Sequence, residues 1–167
     1  FANFRITNII QGDGAVSGRA FASLSSEPLF LTENGVMALT PSDVTGERYA
    51  QSRSWYIEGA LRKVALEDAP ATVWDRFYVL AAGDRLYLLD SRRKSYQSKA
   101  PYSEYQYDAW YWEITDVNAL WSWDKALLFG TSDGKVCRFK EIGMAGSEND
   151  DEQPNRAHWT TPLMNLG

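Results

Sequence analysis

The sequence predicts an all-β fold of the β-propeller type, with about three four-stranded antiparallel blades that make up a partial or half propeller. Two observations carry this prediction. Aromatic residues make up 14% of the chain, and such residues suit the half-buried surface of a strand. The chain also has an internal period of about 50 residues, which is typical of arrays of like units. The period relates Leu29, Val79 and Phe129, then Val36, Leu86 and Val136, and then Leu39, Leu89 and Phe139.

Each unit is centred on a predicted hairpin, in which two apolar runs flank a turn. The turns contain Asn34-Gly35, Gly83-Asp84 and Asp133-Gly134, and such residues tolerate the positive φ of tight hairpins. The apolar runs are nearly continuous, as expected for strands that are covered on both faces. The centre of each unit is therefore predicted to be a pair of buried strands.

Each unit extends outward from this hairpin into a predicted blade. A short segment precedes the hairpin, and a longer aromatic strand follows it after a polar connection. In the aromatic strands Trp55, Trp112 and Trp159 are assigned comparable places, at unequal intervals that we attribute to insertions in the preceding loop. Four antiparallel strands in about 50 residues describe a propeller blade. We predict one domain over residues 1–167, with blades at 20–58, 71–114 and 118–165.

Three blades do not close a ring, since known propellers use roughly four to eight. Residues 1–11 are a candidate outer strand of a preceding blade, and the chain is expected to be a segment of a longer polypeptide. Further blades or a second copy would then complete the ring, so self-association through the terminal blades is expected. Residues 57–66 have some helical spacing, but Gly59 weakens it, and we predict a strand end and a loop there. The competing fold is an antiparallel sandwich or barrel.

The overall composition argues against two classes of partner. The net charge is −5, without the basic face that a duplex-DNA binder usually shows, so no nucleic-acid partner is expected. The basic run Arg92-Arg93-Lys94 is interpreted as a solvated connection. No apolar run approaches the roughly 20 residues that cross a membrane, so no membrane partner is expected. The single cysteine, Cys137, excludes an internal disulfide framework and fits a reducing compartment or a particle assembled inside a cell; it is interpreted as a buried, inert thiol.

Residues that could carry chemistry are few. His158 is the only histidine, no G-x-S-x-G nucleophile pattern is present, and zinc needs several His or Cys ligands. Gly12-Asp13-Gly14 lacks the lysine of a phosphate loop and is interpreted as a turn. The acidic segment 146–154 lacks the EF-hand spacing and is interpreted as a solvated insertion. We therefore predict no catalytic, cofactor or metal site, with a propeller enzyme as the third alternative.

The candidate binding surface is aromatic and comprises Tyr105, Tyr107, Trp110 and Trp112. One interpretation is packing between blades. The other is a platform that stacks on sugar rings or anchors a partner protein, since exposed Trp and Tyr dominate binding hot spots. Strand alternation would divide these rings between two faces, so both interpretations can hold together.

Several stretches resemble structural proteins of tailed bacteriophages and prophages, described as tail, neck or particle-stabilising proteins with propeller-like repeats. The stretches are SGRAF at 17–21, EPLFLTENGV at 27–36, DVTGERY at 43–49 and FGTSDGKVCRF at 129–139. The resemblance covers nearly the whole chain and implies a non-enzymatic assembly component of a virion tail or neck. It implies other virion proteins as partners and assembly in the bacterial cytoplasm. The alternative function is a carbohydrate-binding or host-attachment module with a glycan as ligand.

Overall fold

The computed structural model describes residues 14–41, 48–96, 104–140, 149–150 and 153–154. Over this part of the chain the fold is all-β, as predicted, and almost no helix is present. Three antiparallel sheets of four, four and three strands follow one another along the sequence. The strand predicted in residues 1–11 lies outside the described residues, and so does the last part of the predicted third blade, with His158 and Trp159. No helix in the described residues has the length and apolar content to cross a membrane.

The strands of each sheet are hydrogen-bonded in sequence order. The first sheet comprises β1 (Ala22–Leu24), β2 (Glu27–Thr32), β3 (Gly35–Pro41) and β4 (Arg48–Ser52). The second comprises β5 (Ala71–Trp74), β6 (Phe77–Ala82), β7 (Arg85–Tyr96) and β8 (Tyr105–Glu113). The third comprises β9 (Ala119–Trp123), β10 (Ala126–Gly130) and β11 (Val136–Arg138), and β12 (Asn149–Asp150) with β13 (Gln153–Pro154) forms a separate short hairpin.

The first turn of each sheet begins with a residue of positive φ. Ser25, Asp75 and Asp124 each have positive φ, at 59°, 51° and 47°, and each directly follows the first strand of its sheet. A two-residue hairpin turn of this kind matches the twist of the strands that it joins. The period of about 50 residues is therefore present in backbone conformation as well as in sequence.

The strand register corrects one sequence-based equivalence. Val36 and Leu86 hold the same place in the period, Arg53 donates its backbone N–H to the Val36 carbonyl (2.9 Å), and Trp112 lies opposite Leu86. The counterpart of Trp112 is therefore Arg53 and not Trp55, which follows β4 in a turn. The offset arises because the second sheet has a register shift between Asp90 and Lys94 and a longer β7, features that side-chain pattern alone does not reveal.

Two further interpretations need correction. The segment after β4 contains one short helix, α1 (Glu58–Leu61), where strand end and loop were expected. Leu61 is fully buried there, so packing of this residue accounts for the helix better than intrinsic propensity does. The basic run Arg92-Arg93-Lys94 is exposed, as expected, but it belongs to β7 at the register shift and not to a connection.

The sheets pack face to face around two apolar cores. The core between the first and second sheets joins Leu29, Leu31, Val36 and Ala38 to residues of β6, β7 and β8. The core between the second and third sheets is smaller, and it brings Leu127 against β6 and β7. The first strands of consecutive sheets are neighbours, because β1 contacts β5 and β5 contacts β9.

Candidate functional site

A buried ion pair lies where the first sheet meets the second. The Arg53 side chain is fully buried, and its Nη2 lies 2.7 Å from Glu27 Oε1. Arg53 Nε lies 3.2 and 3.1 Å from the two carboxylate oxygens of Glu27, so the contact is bidentate. The other donors reach Gln51 Oε1 at 2.8 Å and Thr40 Oγ1 at 3.0 Å. A charge removed from water in this way needs nearly all its hydrogen bonds, and Arg53 has them within its own sheet and its neighbour.

The second sheet completes this site through the beginning of β8. The hydroxyls of Tyr105 and Tyr107 donate to Glu27 Oε1 at 3.0 Å and Oε2 at 2.8 Å. The Arg53 guanidinium carbon lies 3.9 Å from the centre of the Tyr105 ring, and Arg53 Nη1 donates to the Tyr105 carbonyl at 3.1 Å. Tyr107 also donates its backbone N–H to the Arg53 carbonyl at 3.2 Å. We call these residues (Glu27, Arg53, Tyr105 and Tyr107) the ion-pair site.

The contacts within the ion-pair site favour the ionised forms of both Glu27 and Arg53. Burial by itself would raise the pKa of Glu27, but the hydrogen bond and charge of Arg53, with the tyrosine hydroxyls, hold that pKa below its ordinary value. Burial would lower the pKa of Arg53, and its contact with Glu27 raises it instead. Burial, with the adjacent Tyr105 hydroxyl and the Glu27 carboxylate, raises the pKa of Tyr107. The site therefore consists of a fixed ion pair and neutral hydroxyl donors, which suits cross-linking of two sheets.

The opposite face of β8 carries an exposed aromatic surface. Trp110 and Trp112 are 43% and 38% exposed. Phe77 meets Trp110 edge to face at 6.3 Å, and Trp74 meets Trp112 at 6.3 Å. Phe139 lies 5.3 Å from Trp112. We call Phe77, Trp110 and Trp112 the aromatic face; neighbouring rings fix their orientation, while part of each tryptophan meets solvent.

A register shift beside the aromatic face holds a second ion pair. Asp90 has a nearly buried side chain, and it accepts from Arg92 Nε at 2.9 Å and from Nη2 at 2.7 Å. The hydrogen bonds from Arg92 lower the pKa of Asp90. The Arg92 guanidinium carbon lies 5.1 Å from the Phe77 ring centre. The Arg92 side chain is thus partly exposed, but its guanidinium group contacts Asp90 and Phe77 of the same sheet.

A shallow acidic cleft lies at the end of the second sheet. It has a volume of about 470 Å³ and is lined by Asp84, Glu113, Ile114, Thr115 and Phe129. Arg85 lies 4.0 Å from an oxygen of Asp84 and 3.8 Å from an oxygen of Glu113, and both carboxylates are mostly exposed. In the described part of the chain, no group of three or more His, Cys, Asp or Glu side chains is placed to hold a metal ion.

The structure divides the four residues of the predicted binding surface into two pairs. Tyr105 and Tyr107 point toward the first sheet, and Tyr107 is only 2% exposed. Trp110 and Trp112 lie on the other side of β8 and reach solvent. The alternation of side chains along β8 explains this division. Cys137 is a free, half-buried thiol in β11.

Sequence reasoning missed Glu27 and Arg53. Glu27 begins β2 and Arg53 directly follows β4, at positions where the second sheet carries the aromatic residues Phe77 and Trp112. A charged residue at a position that the period assigns to the core is a usable signal, because buried charges are rarely found without a partner. Reading that signal requires the correct register, which only the structure supplied. Comparison of the chain with protein-family models, curated proteins and solved structures found no match.

Proposed function

We propose that this chain is a segment of a β-propeller-type scaffold that acts through rigid protein–protein contacts and not through catalysis. In this proposal the three sheets are blades, and the third blade is completed by residues beyond β11. The function is geometric: each blade presents loops and edges to neighbouring proteins at a fixed angle. Four-stranded antiparallel sheets repeated around an axis are the description of such a scaffold.

The observation that carries the proposal is the meeting of the segments that enter the three sheets. Ser17, before β1, donates its hydroxyl to the Ala69 carbonyl, before β5, at 2.9 Å. Arg19 donates to the carbonyl of Asn118, which directly precedes β9. The first unit therefore contacts the entry of the third as well as that of the second. Such convergence of inner edges is expected of blades around an axis, and it is not expected of sheets in a linear stack.

The contacts between sheets support a rigid scaffold. The buried hydroxyl of Tyr78 donates to the Ala20 carbonyl at 2.6 Å, and Trp74 Nε1 donates to the Lys125 carbonyl at 2.6 Å. The ion-pair site adds a charged cross-link between β8 and two residues of the first unit, Glu27 in β2 and Arg53 after β4. Directional bonds of this kind are satisfied at one relative orientation only, so they oppose sliding of one sheet over the next.

The assignment to a phage or prophage particle is a proposal that depends on the sequence resemblance. On this proposal the partners are other tail or neck proteins, and the chain is assembled in the bacterial cytoplasm and resides in the virion. Genes for portal, capsid and tail proteins beside the gene for this chain would support it. A neighbourhood of metabolic genes would contradict it.

Self-association tests the scaffold proposal directly. The outward face of the third sheet carries Trp123 and Val136, which are 74% and 68% exposed. Multi-angle light scattering between about 1 and 200 μM is expected to show concentration-dependent oligomers, with closed rings in negative-stain images. Trp123→Ser is expected to weaken association at least tenfold. Trp55→Ser is the matched control, since Trp55 is 55% exposed but lies in the turn after β4. A monodisperse monomer throughout this range would contradict the proposal.

A second candidate function is glycan binding at the aromatic face. The observation in its favour is the partial exposure of Trp110 and Trp112 on one side of one strand. Their side chains are two residues apart, which places them roughly 7 Å from each other along the strand. Binding on a glycan array that is lost in Trp110→Ala and kept in Tyr111→Ala would support this function. Tyr111 is similarly exposed, at 46%, but lies on the other side of β8.

A further inference from the structure

We propose that the aromatic face is the docking surface for the fourth strand of the third sheet, and that residues 156–163 of this chain supply that strand. The proposal deepens the scaffold function and rests on its arrangement of blades. It assigns the aromatic face to packing within the chain and gives it a defined occupant. The interface between the first and second sheets is the template for this arrangement.

The register makes the ion-pair site and the aromatic face equivalent positions. Glu27 and Phe77 are the first residues of β2 and β6, each directly after a two-residue turn. Gln51 lies opposite Ala38, and Trp110 lies opposite Leu88, which is 50 residues after Ala38. Arg53 and Trp112 are equivalent by the same reasoning. Glu27, Gln51 and Arg53 in the first sheet thus correspond to Phe77, Trp110 and Trp112 in the second.

In the template, the fourth strand of the next sheet covers this position. Tyr105 and Tyr107 of β8 lie against Glu27 and Arg53, and they reduce the exposure of the Arg53 side chain to zero. Gln106 also links β8 to the first sheet, because its Nε2 donates to the carbonyl of Ser52 in β4 at 3.0 Å. All four strands of the second sheet contribute to the apolar core of this interface, and the tyrosine hydroxyls of β8 also reach the Glu27 carboxylate.

The second interface has the apolar part and lacks a described strand at its outer end. Leu127 of β10 packs with Val79, Leu86 and Leu88, in a core that matches the template. Trp110 and Trp112 keep solvent contact at the place where β8 closes the first interface. The described part of the third sheet ends with β11 at Arg138, and 29 residues follow it in the sequence. That length is ample for a connection and a strand, since six to eight residues separate the third and fourth strands in the other two sheets.

The chemistry of residues 156–163 fits an aromatic surface. Alternation in a strand would place Ala157, Trp159, Thr161 and Leu163 on one side and Arg156, His158, Thr160 and Pro162 on the other. The first set is the more apolar, and it includes one large ring. Because aromatic pairs in edge or offset contact gain free energy beyond the area that they bury, Trp159 suits a surface of three fixed rings. We therefore assign the side with Ala157 and Trp159 to the aromatic face.

Cysteine cross-linking tests this assignment in the full chain. Cys137→Ser removes the native thiol, Trp112→Cys provides the anchor, and single cysteines are placed at 157, 158, 159 and 160. Packed sheets lie about 10 Å apart, beyond the Cα separation that a disulfide spans, so a bismaleimide of about 10 Å is the appropriate reagent. We expect intramolecular cross-links from 157 and 159 at least fivefold above those from 158 and 160. Tyr111→Cys, on the other side of β8, is the matched anchor control and should give none of this alternation.

Hydroxyl-radical footprinting gives an independent test on the unmodified chain. If residues 156–163 cover the aromatic face, Trp110 and Trp112 should be oxidised at least threefold more slowly than Trp55, which is 55% exposed and lies outside the proposed association surface. Equal oxidation of these three residues, together with cross-links that do not alternate, would overturn the proposal. Cross-links found only between two molecules would assign the face to a second copy and would also overturn it. Either result can occur while light scattering still shows self-association, so failure here is distinguishable from failure of the scaffold function.

Discussion

Arg53 lies with its guanidinium carbon 3.9 Å above the ring of Tyr105, and this contact joins the end of the first sheet to the outermost strand of the second. The same guanidinium is bound by the Glu27 carboxylate at 2.7 Å. A cation that contacts an aromatic face and a carboxylate together is held at one position and one orientation. The pair therefore defines the angle between two sheets, and it makes stability sensitive to each partner.

We expect Arg53→Ala to destabilise the chain by about 3–5 kcal/mol, because it leaves the Glu27 carboxylate without its cation in a partly buried site. Urea unfolding, followed by circular dichroism, measures the change. Arg62→Ala is the control, since Arg62 is 56% exposed and lies 3.6 Å from Glu58 one helical turn away. That change should cost about 0.5 kcal/mol or less. A loss below about 1 kcal/mol for Arg53→Ala would contradict the role of the ion-pair site.

The ion-pair site should also make stability depend on acid. The pKa of Glu27 is lowered in the folded chain, so its contribution is fully present above its ordinary value of 4.5 and is lost as the pH falls below it. Glu27→Gln is therefore expected to be less stable than the parent at pH 7, with a difference that narrows as the pH falls from 4.5 toward 2.5. Denaturant unfolding at several pH values measures this difference. When Arg53 is also replaced by alanine, the difference in unfolding free energy between the chains with and without Glu27→Gln should depend less on pH. If that difference does not change with pH while Arg53 is present, the ion pair does not couple stability to the protonation of Glu27.

A neutral hydroxyl joins β6 to the segment that precedes β1. Tyr78 is fully buried and donates to the Ala20 carbonyl at 2.6 Å. We expect Tyr78→Phe to cost about 1–3 kcal/mol, because the substitution leaves a buried carbonyl without its donor. Tyr56→Phe is the matched control, since Tyr56 is 54% exposed, and it should be neutral within about 0.5 kcal/mol. Thermal unfolding under the same conditions gives the melting temperatures of the two variants. Equal melting temperatures for Tyr78→Phe and Tyr56→Phe would argue against a stabilising hydrogen bond from Tyr78 to Ala20.

Burial also sets the alkaline behaviour of Tyr78. Desolvation raises the pKa of its hydroxyl above the ordinary value of 10.0. Its stabilising contribution is thus complete below pH 10 and is lost as the pH rises beyond it, because the unfolded chain then releases a proton that the folded chain retains. We expect the phenolate absorbance of Tyr78 to appear only together with unfolding in an alkaline titration. Comparison with Tyr78→Phe isolates that signal, and its appearance in the folded chain would contradict the expectation.

The period of about 50 residues was sufficient to predict the β class, the hairpins and the order of strands, because apolar patterning records which strand faces are buried. It did not reveal that Trp112 corresponds to Arg53, because the register shift between Asp90 and Lys94 displaces all later equivalences. Register depends on backbone hydrogen bonds, which insertions alter without changing the apolar pattern on either side.

The candidate site was predictable only in its aromatic half. Tyr105, Tyr107, Trp110 and Trp112 were identifiable as a dense run of large rings in one predicted strand, whereas Glu27 and Arg53 resemble ordinary surface charges in sequence. Their pairing connects residues 26 positions apart and is closed by tyrosines about 80 positions from Glu27. Such long-range contacts are a consequence of sheet packing and leave no local pattern.

Gly83 offers a test of how the connections between sheets support the hairpins. It has φ of +63°, and a Cβ there would lie 2.9 Å from Val64 Cγ1, in the segment that joins the first two sheets. Gly134 has φ of +85° in the corresponding turn of the third sheet, and a Cβ there would meet nothing within 4 Å. Alanine at either position carries the strain of the left-handed region, about 1–2 kcal/mol. At Gly83 the clash adds roughly 1–3 kcal/mol, because Val64 is branched and must move.

Gly83→Ala should therefore destabilise the chain more than Gly134→Ala does, and denaturant midpoints of the two variants measure the difference. Val64→Ala in combination with Gly83→Ala should recover part of the loss, since it removes the methyl group that the new Cβ meets. Equal destabilisation by the two glycine substitutions would mean that Val64 does not sterically restrain the turn at Gly83. A larger effect at Gly83, with recovery by Val64→Ala, would show that the connection after the first sheet restrains the central turn of the second.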